Sequence, residues 1–185
     1  VIADVLAALR DDIDKTLAAF RRELGHVRTG RASTALLDGI LVEYYGTKTP
    51  LNQLATLTAP EPTLLVIQPW DKAALHPIEK AIQSSDLGLN PQSDGKLIRV
   101  PIPALTEERR RELVRHVKKL AEDYRVSVRN HRRDALEMLK ELEKEKQITE
   151  DDRRHAAEKV EHQTKEAIER LEKVLKSKED EIMAV

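Results

Sequence analysis

Residues 105–185 read LTEERRRELVRHVKKLAEDYRVSVRNHRRDALEMLKELEKEKQITEDDRRHAAEKVEHQTKEAIERLEKVLKSKEDEIMAV, without one Pro or Gly. A stretch this long that lacks both backbone breakers holds very long helices. Apolar side chains recur through it by fours and threes. Leu113, Val117, Leu120, Tyr124, Val128, His131, Ala135, Met138 and Leu142 form one seam; Val160, Ala167, Leu171, Val174 and Ile182 form another, flanked by Ile168 and Leu175. The spacing is of heptad type. Between the seams Thr149 stands three residues before Asp152, as in a capping box, and the acids from Glu150 to Asp152 favour a helix N-terminus. One helix therefore ends near Lys146 and the next starts near Glu150. A helix from Glu107 to Lys146 would be about 60 Å long at ~1.5 Å per residue, too long to be buried alone.

Its partner comes from the other end of the chain. Ile2, Leu6, Leu9, Ile13, Leu17, Phe20, Leu24 and Val27 make an unbroken third seam. Three seams and one short turn predict a three-helix bundle built from two separated segments, 1–30 and 105–185. The insert, 31–104, holds all eight prolines and four of the six glycines. Ile40 to Tyr45, Leu64 to Gln68 and Leu97 to Val100 read as strands, Ala74 to Ser85 as a helix ended near Gly88, and Asp94-Gly95 as a tight turn. This is a small β/α/β domain, and the fold class is α+β. Both of its ends return to the bundle, with Gly30 at one crossing and Pro101 and Pro103 at the other. Two crossings side by side make a hinge.

The chain has 185 residues, enough for one domain or two small ones, with 32 Lys and Arg against 33 Asp and Glu. The balance hides an asymmetry. Residues 109–133 carry ten bases and three acids, whereas 134–185 carry eleven bases and sixteen acids. Arg111, Arg115, Lys118, Arg125, Arg129 and Arg132 follow a four-three repeat broken only by Glu122, and Arg21, Arg22, Arg28 and Arg31 add positive charge near the end of the first helix. A rod with a basic line suits a ridge of phosphates. A solvated helix face laced with ion pairs accounts for the same charges equally well.

Other chemistry is missing. There is no cysteine, hence no disulfide, thiolate nucleophile or Cys-based zinc site. No phosphate-binding glycine loop, nucleophile elbow or HExxH string occurs, and His155 and His162 alone do not make a zinc site. His131 falls on a seam as a satisfied, partly buried histidine. Trp70 is expected in core or rim packing of the small domain. The expectation is a non-enzyme with no cofactor and no metal. The opening VIADVLAALRDDIDK has no signal-peptide character and no run reaches the ~20 apolar residues of a membrane span, so a soluble, cytoplasmic monomer is expected.

Particular strings then matter. RTGRAS at 28–33, LDG at 37–39, VEYYG at 42–46, PLNQLA at 50–55, EKAI at 79–82, SDLGLNP at 85–91, IRVP at 98–101, LTEERR at 105–110, VRNHRRD at 128–134 and EDD at 150–152 resemble, in one order along the whole chain, the ribosome recycling factor family. The resemblance implies an L-shaped, transfer-RNA-like molecule with a three-helix bundle arm and a small β/α/β arm. It implies a hinge at 30–31 and 103–106, on Gly30, Arg31, Pro103, Ala104, Leu105 and Thr106. It implies action after termination: the bundle binds large-subunit ribosomal RNA, elongation factor G pushes the small domain, and its GTP hydrolysis drives subunit separation. The family's RNA-contacting arginines fall on Arg129 and Arg132, with Arg133 and Arg110 in support and Arg28 and Arg31 by the hinge. Lys48 stands where many relatives have Pro, and His131 where an apolar residue is commoner. The competing reading is a coiled-coil adaptor for protein partners, which needs an exposed apolar seam.

Overall fold

A computed structural model describes residues 1–184; Val185, the last residue of the segment read as bundle, lies outside the described residues. In chain order the elements are α1 (Ile2–Gly25), β1 (Leu41–Tyr44), β2 (Thr47–Pro50), β3 (Ala55–Glu61), β4 (Leu64–Pro69), α2 (Leu75–Gln83), β5 (Gln92–Ser93), β6 (Ile98–Pro101), α3 (Glu107–Lys144) and α4 (Glu150–Met183), an α+β fold. The chain forms two compact units, Val1–Leu24 with Glu112–Val185, and Gly25–Arg111.

In the helical unit, bonds between side chains fix the packing. The Tyr124 hydroxyl donates to Glu23 at 2.9 Å and His131 Nε2 meets Thr16 Oγ1 at 2.9 Å, so numbers fall on α3 as they rise on α1. Arg125 pairs with Glu172 and Glu143 with Arg153, so α4 also runs against α3. Arg170 reaches Asp14 at 3.3 Å and ties α4 to α1. The three helices therefore close on one another. Thr16 gives its hydroxyl proton to the Asp12 carbonyl at 2.8 Å, which makes His131 Nε2 the donor to Thr16. The half-buried seam histidine is satisfied in this way. Phe20 is fully buried against Tyr124, ring centroids 5.2 Å apart.

The buried seams differ from a strict heptad. Val117, Val128 and Leu139 on α3, and Val160, Leu171 and Ile182 on α4, are all fully buried and stand eleven residues apart. Eleven residues over three turns is ~3.67 per turn, close to a straight helix, whereas a seven-residue repeat drifts by ~20° per heptad. Over about four heptads that drift approaches the ~100° that separates one residue from the next. Met138, read as a seam position, is exposed and Leu139 takes its place; Leu175 likewise is buried where Val174 is only partly covered.

The turn between α3 and α4 is closed by backbone. Gln147 N–H donates to Leu142 O and Lys146 N–H to Glu143 O, each at 2.9 Å, with Lys146 at φ +60°. This is a Schellman-type end with lysine where glycine is favoured. The capping box is present: Asp152 N–H donates to Thr149 Oγ1 and Thr149 N–H to Asp152 Oδ2, both at 3.1 Å.

The other unit has a β1–β2 hairpin and a four-stranded antiparallel sheet in the order β3-β4-β6-β5. Its core is aliphatic, with Val42, Leu65, Ile67, Ile98 and Val100 from strands against Ile78 and Ile82 of α2. Three strands lay outside the sequence reading, the two-residue β5 among them. β2 is short and polar, and β3 is an edge strand, largely exposed, with an irregular register between Thr58 and Glu61 around Pro60. Neither shows an apolar alternation. Trp70 departs from its expectation: it is 65% exposed, and its indole N–H is held by Thr56 Oγ1 of β3 at 2.8 Å rather than by the core.

Candidate nucleic-acid interface

α3 turns Leu113, Val117, Ala121, Val128, Ala135 and Leu139 into the helical core. Positions 118, 122, 125, 129 and 132 follow seam positions by one residue, hence by ~100° around the axis. They line one flank of the helix. Those nearest the core reach across to α4; those further round face solvent.

Carboxylates divide these arginines into two kinds. Arg125 is spent inside the unit: its side chain is only 19% exposed, its Nε bonds Glu172 at 2.5 Å and its Nη1 bonds Glu122 at 2.9 Å. Glu172 in particular pushes the Arg125 pKa up, and the two arginines Arg125 and Arg129 hold the Glu122 carboxyl below its ordinary value. Arg129 is half exposed and shares Glu122 at 3.1 Å. Arg132 is the least committed of the three. Its Nη1 lies 3.6 Å from Glu161, and its Nε is buried without a hydrogen-bond partner. Arg115, Lys118 and Arg133 are exposed and make no ion pair among the described residues. In that state α3 offers a guanidinium fork at Arg132, a second at Arg129 in exchange for one internal pair, and free cations around them. Such forks match phosphate oxygens two at a time.

The remaining arginines belong to the other unit and are described within it. Arg28 and Arg110 are half-buried, and the Nε of each lacks a partner; Arg31 is exposed; Arg111 pairs with Glu107 at 2.7 Å. Around them the predicted hinge residues meet. Gly30 has φ +77°, and a Cβ there would stand 3.4 Å from Leu105 Cγ and 3.5 Å from Leu105 N. Thr106 Oγ1 accepts from Arg109 N–H at 3.1 Å and caps the start of α3. Just inside, Ala32 N–H donates to Pro62 O at 2.6 Å and Ile102 N–H to Thr63 O at 2.7 Å. Both chain crossings are thus anchored on one turn of the sheet, with Pro103 and Ala104 exposed beyond it.

Sequence reasoning did not find Glu161 and Glu172, because their partners lie far off in sequence on an antiparallel helix. It also left unassigned a corner of the small unit where Tyr44, Tyr45, Trp70 and Asp71 gather. Among the described residues no cluster of His, Cys, Asp or Glu could hold a metal, and His162 instead pairs with Glu166 at 3.0 Å. Among the described residues no helix is long and apolar enough to cross a membrane.

The family model for ribosome recycling factor matches residues 20–183. The chain belongs to the ribosome recycling factor family. It is 50% identical over 185 residues to the ribosome-recycling factor of Carboxydothermus hydrogenoformans, covering all of both chains. It is 54% identical over 182 residues to that of Bacillus subtilis, covering 98% of each. The solution structure of a ribosome recycling factor superposes with a TM-score of 0.81 at 45% identity, over 100% of this chain and 98% of that one. A second match, with TM-score 0.70 and 46% identity over the whole of both chains, comes from models for the T. thermophilus ribosome recycling factor and the E. coli elongation factor G bound to the E. coli post-termination complex. As a ribosome recycling factor, the chain is a translation factor and not an enzyme.

Proposed function

We propose that this chain, as a monomer, separates post-termination ribosomes into subunits together with elongation factor G and GTP. The observation that carries this is the full-length likeness to a recycling factor bound with elongation factor G to a post-termination complex. The helical unit binds large-subunit ribosomal RNA along the α3 flank. Arg132 and Arg129 supply the phosphate contacts, and Arg133, Arg115 and Lys118 supply the surrounding field. The loosely held Arg132 fork, with its unpartnered Nε, supports this assignment. Arg28, Arg31 and Arg110 are supporting contacts by the hinge. The working division of the molecule falls at 30–31 and 103–106, between segments 1–30 with 105–185 and segment 31–104. The anchoring of Ala32 and Ile102 on one sheet turn supports that division, since a rotation would fall on the backbone outside those anchors. GTP belongs to the partner; this chain has no phosphate-binding glycine loop.

The adaptor reading needs an open seam. Here most of the apolar seam of α1, α3 and α4, from Leu9 to Leu24, Val117 to Leu139 and Val160 to Ile182, is closed within the unit itself, with Met138 the large seam residue left exposed, which favours the recycling reading.

Light scattering of post-termination ribosomes mixed with this protein, elongation factor G and GTP tests the proposal. A GTP-dependent fall in scattering that is lost with Arg132→Ala is the expected result. Full activity in that variant removes the RNA assignment, and no ribosome binding by the wild-type chain removes the function.

A further inference from the structure

The corner of the small unit at the β1–β2 turn combines strain with exposure. Tyr44 pairs with Thr47 across the hairpin, so Tyr45 and Gly46 form a two-residue turn, at φ +50° and +76°. Positive φ at both central positions is what such a turn requires, and Asn, Asp or Gly normally stand first in it. Tyrosine there is strained, and burial does not offset the strain, because Tyr45 is 79% exposed. Its ring is held in place by an edge-on contact with Tyr44 at 4.5 Å between centroids. The Tyr44 hydroxyl in turn donates to Asp71 Oδ2 at 2.5 Å, and Asp71 Oδ1 accepts from Ala73 N–H at 3.0 Å. Next to Asp71, Trp70 exposes most of its indole and is pinned by its bond to Thr56. Three of the five aromatic residues in the chain are therefore ordered at one end of a unit whose core is otherwise aliphatic.

Strain without burial is a poor choice for stability alone. Ordered, exposed Tyr and Trp side chains are the types that anchor protein interfaces, since little rotamer freedom is lost on binding. Charge argues against nucleic acid as the occupant. Glu43 stands opposite Lys48 in the hairpin, and Asp71 is followed by Lys72, so the local charge cancels. A neutral patch releases no counterions from phosphates. We infer that the Tyr44–Tyr45–Trp70 corner is the docking face of the small unit for a protein, and that in recycling this protein is elongation factor G. The inference rests on the proposed function, which names that partner but no face for it.

Full-length Tyr45→Asn and Trp70→Ala test it, with Trp70→Phe as a conservative control. Three quantities are read: the melting temperature, sedimentation with ribosomes, and splitting as elongation factor G is titrated. Tyr45→Asn relieves the turn, so it should melt at the same temperature or higher. Ribosome binding should stay within about 2-fold, while the elongation factor G needed for half-maximal splitting rises about 10-fold or more, the scale expected when one anchor is removed. Trp70→Phe should recover much of what Trp70→Ala loses. An unchanged requirement for elongation factor G in both variants overturns the inference. So does a loss of ribosome binding, which would make the corner a ribosome contact. If wild-type protein itself fails to split ribosomes, the proposed function falls and takes this inference with it.

Discussion

Arg125 and Arg132 lie on one flank of α3 seven residues apart, yet their replacement by alanine should give opposite phenotypes. Arg125 bridges α3 to α4 through Glu172 while holding Glu122, with little of its side chain in water. Removing it breaks two ion pairs, each worth a few tenths to ~1 kcal/mol when partly exposed, and uncovers the apolar surface under its methylenes. A loss of about 1–2 kcal/mol follows. At ~2–4 °C per kcal/mol for a chain of this size, the melting temperature should fall by about 2–8 °C. Binding to large subunits should change less than about 3-fold, since this guanidinium faces inward. Arg132 is tied only at 3.6 Å to Glu161, and both side chains are about half exposed. Its removal should move stability by no more than ~0.5 kcal/mol. Binding should weaken by about 10–100-fold, the scale of one charge-assisted hydrogen bond at ~1.5–3 kcal/mol.

The salt dependence separates these causes. Removing one phosphate-binding side chain lowers the slope of log K against log salt by about 0.7–0.9. Arg132→Ala should show that drop and Arg125→Ala should not. The measurements are large-subunit affinity at four or five salt concentrations and a thermal melt of each variant. Suppose Arg125→Ala lowers affinity and slope as much as Arg132→Ala and melts like wild type. Internal carboxylates then do not decide which arginines are presented, and the division into two kinds is refuted.

Lys146→Gly should stabilise the helical unit by about 0.5–1 kcal/mol, because its φ of +60° suits glycine; unfolding in denaturant checks it, and a loss of stability would contradict the strain. Asp94 accepts from the N–H groups of Leu97 and Lys96 and from Arg99, which hold its carboxyl well below the ordinary carboxylate range. Its contribution is therefore complete above the unfolded value of ~3.9 and is lost as pH falls below it, so the stability gap between wild type and Asp94→Asn should be flat above about pH 5 and shrink in acid. Gly30→Ala should cost about 1 kcal/mol from backbone alone, as should Gly88→Ala, which has the same left-handed sign of φ and open space around it. Only Gly30→Ala should slow splitting while leaving ribosome binding intact; equal splitting rates in the two variants would remove the hinge role.

What could be read from sequence followed from how local each cause is. A capping box needs four consecutive residues, and Thr149 with Asp152 was legible as one. Seams need only helical periodicity, so Leu9, Ile13, Leu17, Phe20 and Leu24 stood out and are buried. The shift from Met138 to Leu139 was not legible, because it depends on whether neighbouring helices supercoil to a 3.5-residue period or stay nearly straight. β3 escaped notice because an edge strand in water needs no apolar alternation. The arginine line was visible, but not which members it presents. That depends on Glu161 and Glu172, which only an antiparallel α4 brings alongside. The exposure of Trp70 had no signal at all; only its strained neighbour Tyr45, inside the string VEYYG, marks the corner, and strain is invisible until φ is known.

The charge arithmetic takes on a different sense once the helices are in register. The excess of bases at 109–133 and the excess of acids at 134–185 do not make two separate poles, since α4 folds back along α3 and sets Glu161 and Glu172 beside the arginines. Over distances beyond the ~8 Å Debye length at physiological salt the two excesses largely cancel. Attraction for a polyanion then comes from a few guanidinium groups at close range rather than from a long-range field. Such a surface gathers bulk RNA poorly, because each phosphate it neutralises first displaces an internal carboxylate at Arg129 and, more weakly, at Arg132. On the proposed function, the surface would hold only where RNA phosphates match those forks in position, and its affinity would end when the match ends. Glu122→Gln tests this chemistry directly. Without its charge Arg129 is released, so binding to large subunits and to unrelated RNA should both tighten, the unrelated RNA by the larger factor. Equal tightening of both would mean that the carboxylate restrains affinity without contributing to selectivity.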